Sequence, residues 1–383
     1  MEYFVYIIIN LLLFGVFVAV GKSIEYHPKK NFWRLYTPVI VAYTLILGIR
    51  YNRGADYKHY QNVFNWNLDA DKKLFTFLND LLKVIGIDDI GIFFVYSFIF
   101  ICLSGFLIKE YRNFAKWLLP MFLAANITFN EWFISQGLGL SFVLLFCAFL
   151  FNTEINVKKK VYLCVFSALC AFSIHSGNLF NLFIVTVLYF VYDKPFDWRI
   201  CIILYLFSSY YFQYHTDFTL INQMLVYING LDSRMDEYIK RGDDWFSNYA
   251  IHDDYYRKGF FKTLQTLGEC SFFYFANMAF KSENVFLCLE KRRCLILLFN
   301  MFVIGSILGQ MFFAVEILKR MASSFYLVWC FPLAYVVRVV NFNKLSVSLK
   351  ILYCFMFWFG YEYLKYIFYR VDGVYTFLWD KVG

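Results

Sequence analysis

The sequence predicts an all-α, polytopic transmembrane protein that forms one domain over residues 1–383, with about twelve spans. Three observations predict this. Of the 383 residues, 61% are hydrophobic and 23% aromatic, against roughly 45–50% apolar in soluble domains, and the mean hydropathy is +0.54. Apolar segments of about 15–22 residues recur from end to end, near the length that crosses a hydrocarbon core. Lysine and arginine gather in the gaps between those segments, so topology accounts for the net charge of +8 and no nucleic-acid partner is expected.

The predicted spans are residues 3–21, 36–50, 90–108, 116–129, 132–152, 160–175, 178–192, 199–213, 263–281, 294–315, 321–340 and 347–368. The first lacks a basic leader and has its first lysine, Lys22, after the apolar run, which describes a retained span rather than a cleaved signal peptide. If spans alternate, the connections holding Lys29 and Arg34, Lys109 and Arg112, Lys158 to Lys160, Lys194 and Arg199, Lys291 to Arg293, and Arg338 share one face. The positive-inside rule makes that face cytoplasmic and puts both termini outside. The ten cysteines fall mainly inside apolar runs without a CxxC pair, so neither a zinc site nor a disulfide framework is indicated.

Two long outer connections remain. Residues 51–89 include "DKKLFTFLNDLLKVIG", in which Leu74, Phe77, Leu78, Leu81, Leu82 and Ile85 recur at helical spacing opposite Lys72, Lys73, Asn79, Asp80 and Lys83. Such a helix either lies in the membrane interface or packs on the rim of the protein. Residues 214–262 mix acids, bases and aromatics, Trp245, His252, Asp253 and Asp254 among them, and are long enough to form a lid.

Chemistry-bearing residues collect on the outer side. Arg50 and Arg53 stand at the outer end of the second span, where positive charge is otherwise scarce. An arginine at the centre of a membrane helix costs at least about 2.5–3.5 kcal/mol, so it has a partner, a task, or a route by which it snorkels to headgroup phosphates. Glu316, Lys319 and Arg320 form a second outer group, in which Glu316 and Arg320 are spaced to pair on a helix. His175 ends the sixth span, and Asn130, Glu131 and Gln136 surround the turn before the fifth, where Gly137 and Gly139 permit close helix approach. Guanidinium forks suit bidentate phosphate recognition. The chain has no P-loop, GxGxxG after a strand, HExxH or GxSxG, so nucleotide and hydrolase chemistry lack support.

"RYNRGADYKHY" resembles the RYxxGxDYxxY signature of the EpsG-like, Wzy-type polysaccharide polymerases through Arg50, Tyr51, Gly54, Asp56, Tyr57 and Tyr60. "IHSG" and "KRMASSFYLVW", with Arg320 and Tyr326, are similar to later segments of that family, whereas Ser135 and Gln136 stand where an Arg-Gln pair is common. The resemblance implies an architecture similar to the GT-C glycosyltransferases in the bacterial cytoplasmic membrane. It also implies transfer of a growing glycan from undecaprenyl pyrophosphate to a lipid-linked repeat unit on the outer face, without cofactor or metal. On that reading Arg50, Arg53, Lys319 and Arg320 hold the pyrophosphate. His175, Asp56 and Glu131 are candidates to take the acceptor's proton, and Tyr51, Tyr57, Tyr60, Gln136, Glu316 and Tyr326 line the substrate. A chain-length regulator and a flippase of the same pathway are the implied partners. A flippase or exporter of lipid-linked sugars and a membrane O-acyltransferase are the competing functions.

Overall fold

The computed structural model describes residues 2–54, 56–66, 72–212, 259–281, 287–312, 322–325, 327–342, 360, 363 and 376–377. The helices are α1 (Glu2–Tyr26), α2 (Phe32–Gly48), α3 (Tyr57–Trp66), α4 (Lys73–Val84), α5 (Gly91–Glu110), α6 (Ala115–Trp132), α7 (Ile134–Leu150), α8 (Val157–Ile174), α9 (Asn178–Val191), α10 (Trp198–Phe207), α11 (Gly259–Lys281), α12 (Leu289–Met311) and α13 (Cys330–Phe342). The described strands, β1 (Arg50–Tyr51) and β2 (Thr376–Phe377), form one antiparallel pair. Every predicted span from 3–21 to 321–340 contains a helix, and 347–368 lies almost wholly outside the described residues. Among the described residues, four helical stretches are long and apolar enough to cross a membrane: Phe4–Tyr26, Gly91–Glu110, Leu289–Met311 and Ala322–Val339.

Ion pairs show which helix ends lie together. Lys29, in the turn from α1 to α2, pairs with Glu110 at the end of α5 (3.1 Å) and with Glu154 after α7 (2.7 Å), and Lys291 at the start of α12 also reaches Glu110 (2.8 Å). Partial burial works against the charge on Lys29, but the hydrogen bonds to Glu154 and Glu110 outweigh it and raise its pKa above the ordinary lysine value. Arg338 in α13 pairs with Glu25 in α1 at 3.1 Å. We call this the basic end. The opposite end gathers Arg50 after α2, Glu131 near the end of α6 and the start of α7, and Phe133 is the one residue separating those two helices.

Helix α9 and helix α10 are shorter than the long apolar helices, and the connection between them is tied to α12. The Asn300 side chain, about three turns into α12, accepts from the Phe196 N–H and donates to the Lys194 carbonyl, both at 2.9 Å. A π-helical turn, Ser208–Phe212, then extends α10.

The 51–89 connection contains two helices rather than the single one expected. In α4 the packed face is Phe75, Asn79 and Leu82, while Phe77, Leu81, Val84 and Ile85 are exposed. Asn79 therefore does not belong to the solvated face that the sequence suggests: it is buried and accepts the Tyr96 hydroxyl. The helix is both a rim element and an outward apolar surface, because its apolar residues cover more of its circumference than one contact can bury. The predicted 214–262 lid lies outside the described residues up to 258, and Gly259 to Lys262 open α11 instead of closing a loop.

Close packing of α1 on α6 depends on Gly21, where a Cβ would stand 2.5 Å from the Ala115 carbonyl oxygen and 3.2 Å from the Lys116 Cα, whereas nothing lies within 4 Å of one added at Gly15. Backbone on both sides cannot yield locally, so Gly21→Ala should destabilise by about 1–3 kcal/mol. Gly15→Ala should be neutral or stabilising by up to about 1 kcal/mol. Thermal unfolding of the two variants in one detergent compares them directly, and equal midpoints would contradict this account.

Candidate functional site

The segment after α2 is shaped by two left-handed residues, Asn52 (φ 49°) and Gly54 (φ 95°), and by the pairing of Arg50 with Phe377 and Tyr51 with Thr376. A Cβ at Gly54 would lie 2.7 Å from the Glu131 carbonyl oxygen, so both its backbone angle and its clearance require glycine. Helix α3 starts immediately afterwards, with the Tyr60 N–H donating to the Asp56 carbonyl at 2.9 Å. The result is a short, tightly turned loop that carries two arginines into the bundle.

Both arginines are about 4% exposed, and both reach the carboxylate of Glu131, itself 2% exposed. Arg53 Nε donates to Glu131 Oε1 at 2.8 Å, and Arg50 Nη1 lies 3.5 Å from the same oxygen. Arg53 also lies over the Tyr6 ring, 3.8 Å from its centroid, and Arg50 lies 5.6 Å from that of Phe93. Such burial is inconsistent with arginines that snorkel to headgroups. Among the described residues two guanidiniums share the Glu131 carboxylate, and Arg50 Nε and Nη1 and Glu131 Oε2 make no hydrogen bond among them. Buried donors without acceptors are costly, so the site favours an anion or water.

Small spaces adjoin the cluster. One is lined by Arg50 with Phe93, Tyr96, Asn130 and Ile134, the other by Arg50 and Arg53 with Tyr6, Asn10, Glu131 and Phe377. Each has a volume of about 10 Å³, room for a single water.

The other predicted residues divide into groups. Tyr51 is half-buried and meets Tyr57 edge-on, while Tyr57 stacks on Phe93 at 4.2 Å. Burial pushes the Tyr57 phenol well above its ordinary pKa although Arg50 pulls the other way, so it stays a neutral hydrogen-bond donor. The Tyr60 hydroxyl accepts from the Ser135 backbone N–H and bonds the Ser135 hydroxyl, each at 3.1 Å, which fastens α3 to the first turn of α7. Gln136 is buried nearby. Asp56 is half-buried at the entrance to α3. His175 caps α8 at the end of the bundle that also holds Glu131, and its Nδ1 accepts from the Gly177 N–H at 3.2 Å. That contact places the proton of the neutral ring on Nε2. Glu316, Lys319, Arg320 and Tyr326 lie outside the described residues, as do His252, Asp253 and Asp254. Ser324, from the same late segment, donates to Asn181 of α9 at 2.9 Å.

A family model described as the EpsG family matches residues 33–378. The chain belongs to the EpsG family. No curated protein and no solved structure matches it. Membership identifies a membrane protein of the polysaccharide-polymerase type, and the matched span includes the Arg50 loop, Glu131, His175 and the β2 strand.

Within this EpsG-family chain, sequence reasoning overlooked Tyr6 and Asn10. Asn10 is 1% exposed, its Oδ1 has no hydrogen bond among the described residues, and its carbonyl accepts from Tyr363. A lone asparagine in "YIIINLLLFG" was the available signal, since an amide amid aliphatic residues needs a partner. Also overlooked was a polar stripe on α11. Lys262 donates to Gln310 at 2.7 Å, Gln265 donates to Glu269 at 2.9 Å, and Ser306 donates to Glu269. Their i, i+3, i+7 spacing in "KTLQTLGE" puts them on one helix face. The pairs expected from Gly137 and Gly139 are present, since added Cβ atoms there would collide with Asn130 and Asn178.

Removing Glu131 takes from both buried guanidiniums the carboxylate they share, whereas removing Arg53 leaves the Arg50–Glu131 pair in place. Glu131→Ala should therefore cost about 3–5 kcal/mol and exceed the cost of Arg53→Ala. Thermal unfolding of both variants tests the order, and a smaller loss in Glu131→Ala would refute the counter-ion assignment. Gly54→Ala should lower stability by at least about 1 kcal/mol, measured the same way.

Proposed function

We propose that the protein is a glycan polymerase of the bacterial cytoplasmic membrane, with its basic end inside and the Arg50 site outside. In this reading it has about twelve spans in a GT-C-like arrangement. It transfers a growing glycan from undecaprenyl pyrophosphate to a hydroxyl of the next lipid-linked repeat unit. A chain-length regulator and a flippase would act beside it. The observation that carries this reading is the buried Arg50–Arg53–Glu131 cluster, whose Arg50 donors lack acceptors among the described residues.

In the reaction the acceptor oxygen bonds the anomeric carbon, the bond from that carbon to the pyrophosphate oxygen breaks, and the hydroxyl proton passes to a base. Charge builds on the leaving diphosphate, which fixed guanidiniums stabilise without reorganising. Arg50 and Arg53 are assigned this role, joined by Lys319 and Arg320. Because such cations are held by the protein, the neutralisation needs no metal. Glu131 is occupied in balancing the arginines, which leaves His175 and Asp56 for the proton. His175 serves as base once the acceptor hydroxyl replaces Gly177 at Nδ1. A diphosphate is larger than the spaces beside Arg50, so binding must part the surrounding elements, and the two-residue β1–β2 pairing is the contact with the fewest bonds to break.

Purified protein in liposomes, supplied with lipid-linked repeat units, should lengthen glycan chains. Arg50→Ala should slow elongation by about 10²–10³-fold without loss of folding, and unaltered elongation would overturn the pyrophosphate assignment. Movement of lipid-linked sugar across the bilayer without new glycosidic bonds would replace the reading with an exporter. His175→Ala should lose turnover while retaining substrate binding, and near-normal turnover would transfer the base role to Asp56.

A further inference from the structure

A second cavity is at the other end of the molecule. It has a volume of about 300 Å³ and lies where the end of α1, the connection from α5 to α6, and α13 meet. Its walls include Glu25, Tyr26, Asn113, Phe114, Tyr335 and Arg338. The volume is at the lower end of the range for small-molecule sites, and the Arg50 site shares none of these residues.

The polar groups of this cavity are a charge pair. Glu25 Oε1 lies 3.1 Å from Arg338 Nη1, and the two side chains are 9% and 37% exposed. Glu25 Oε2 is buried with no hydrogen-bond partner among the described residues. A carboxylate with one oxygen engaged and the other unsatisfied is a site for an N–H donor, reached by rotation about a soft terminal torsion. The adjacent guanidinium carries five N–H donors in a fork suited to phosphate. A ligand that meets both groups must itself hold a protonated amine and a phosphate a few bonds apart.

The location narrows the source. The cavity is beside the Lys29–Glu110 cluster, where the span ends collect, and the exposed Tyr26 is a residue of the type that sits at headgroup level. Tyr26 is 81% exposed and continues, at helical spacing, the outward apolar stripe of α1 that includes Phe4, Ile8 and Leu11. Acyl chains lying along that stripe would bring a headgroup to the cavity mouth.

We propose that this cavity is a binding site for a phosphoethanolamine lipid of the leaflet at the basic end, with its ammonium on Glu25 and its phosphate on Arg338. The proposal is independent of the glycan reaction. It requires discrimination against a choline headgroup, whose quaternary nitrogen has no N–H to give Glu25, and against a glycerol headgroup, which has no positive charge.

The test uses full-length protein in detergent, titrated with dioctanoyl lipids bearing ethanolamine, choline or glycerol headgroups, with bound lipid counted by native mass spectrometry. The ethanolamine lipid should bind about tenfold more tightly than the choline lipid, the value of one charge-assisted hydrogen bond, and Glu25→Gln should bring the ratio close to one. Equal binding by the unmodified protein, or preference for the glycerol lipid, overturns the proposal without reliance on any variant. Free phosphoethanolamine that binds as tightly as the lipid would overturn the lipid assignment in favour of a soluble amino-phosphate.

Discussion

Two guanidiniums and one carboxylate, all nearly removed from solvent, impose the constraint around which the Arg50 end of this bundle is organised. Charges in a low-dielectric interior must be paired closely or they destabilise the fold. Pairing at 2.8 Å requires the loop after α2 to pass directly against the end of α6. That approach explains the left-handed Asn52, the glycine at 54 with no room for a side chain, and the clamp between Tyr60 and Ser135 that holds α3 beside α7. Aromatic faces complete the enclosure, since Tyr6 and Phe93 present negative ring surfaces to the two guanidiniums.

The two ends of the molecule handle charge differently. At the basic end, Lys29, Glu110, Glu154 and Lys291 form pairs that are partly open to water, so each contributes little to stability and mainly fixes which helix ends meet. At the Arg50 end the charges are fewer, buried and incompletely satisfied. Groups that cost stability in this way are tolerated where they do chemistry, and this contrast is what favours the proposal that the Arg50 end carries the function.

Much was legible in the chain because hydrophobicity and charge are local properties. Long apolar runs and basic gaps located the helices and grouped their ends, and the ion pairs of the basic end join the connections that the alternation of spans had put on one face. Arg50 and Arg53 stood out as cations on the side where topology offers no reason for them. Less local features escaped. Asn79 reads as part of a solvated face until Tyr96 is seen to cover it, and nothing in the chain around Lys194 and Phe196 announces that Asn300, some hundred positions later, ties their backbone to α12.

The sequence by itself determined an all-helical membrane protein, the approximate helix positions, the segregation of basic residues to one end, and the identity of two anomalous arginines. Only the tertiary structure decided that Glu131 is their shared counter-ion, that Tyr6 and Asn10 from the first helix stand beside them, and that Glu25 and Arg338 meet across more than 300 positions of chain. The physical reason is that insertion depends on transfer free energies summed along contiguous segments, which the order of residues specifies directly. Pairing of buried charges depends on which helices pack together, and no single segment records that.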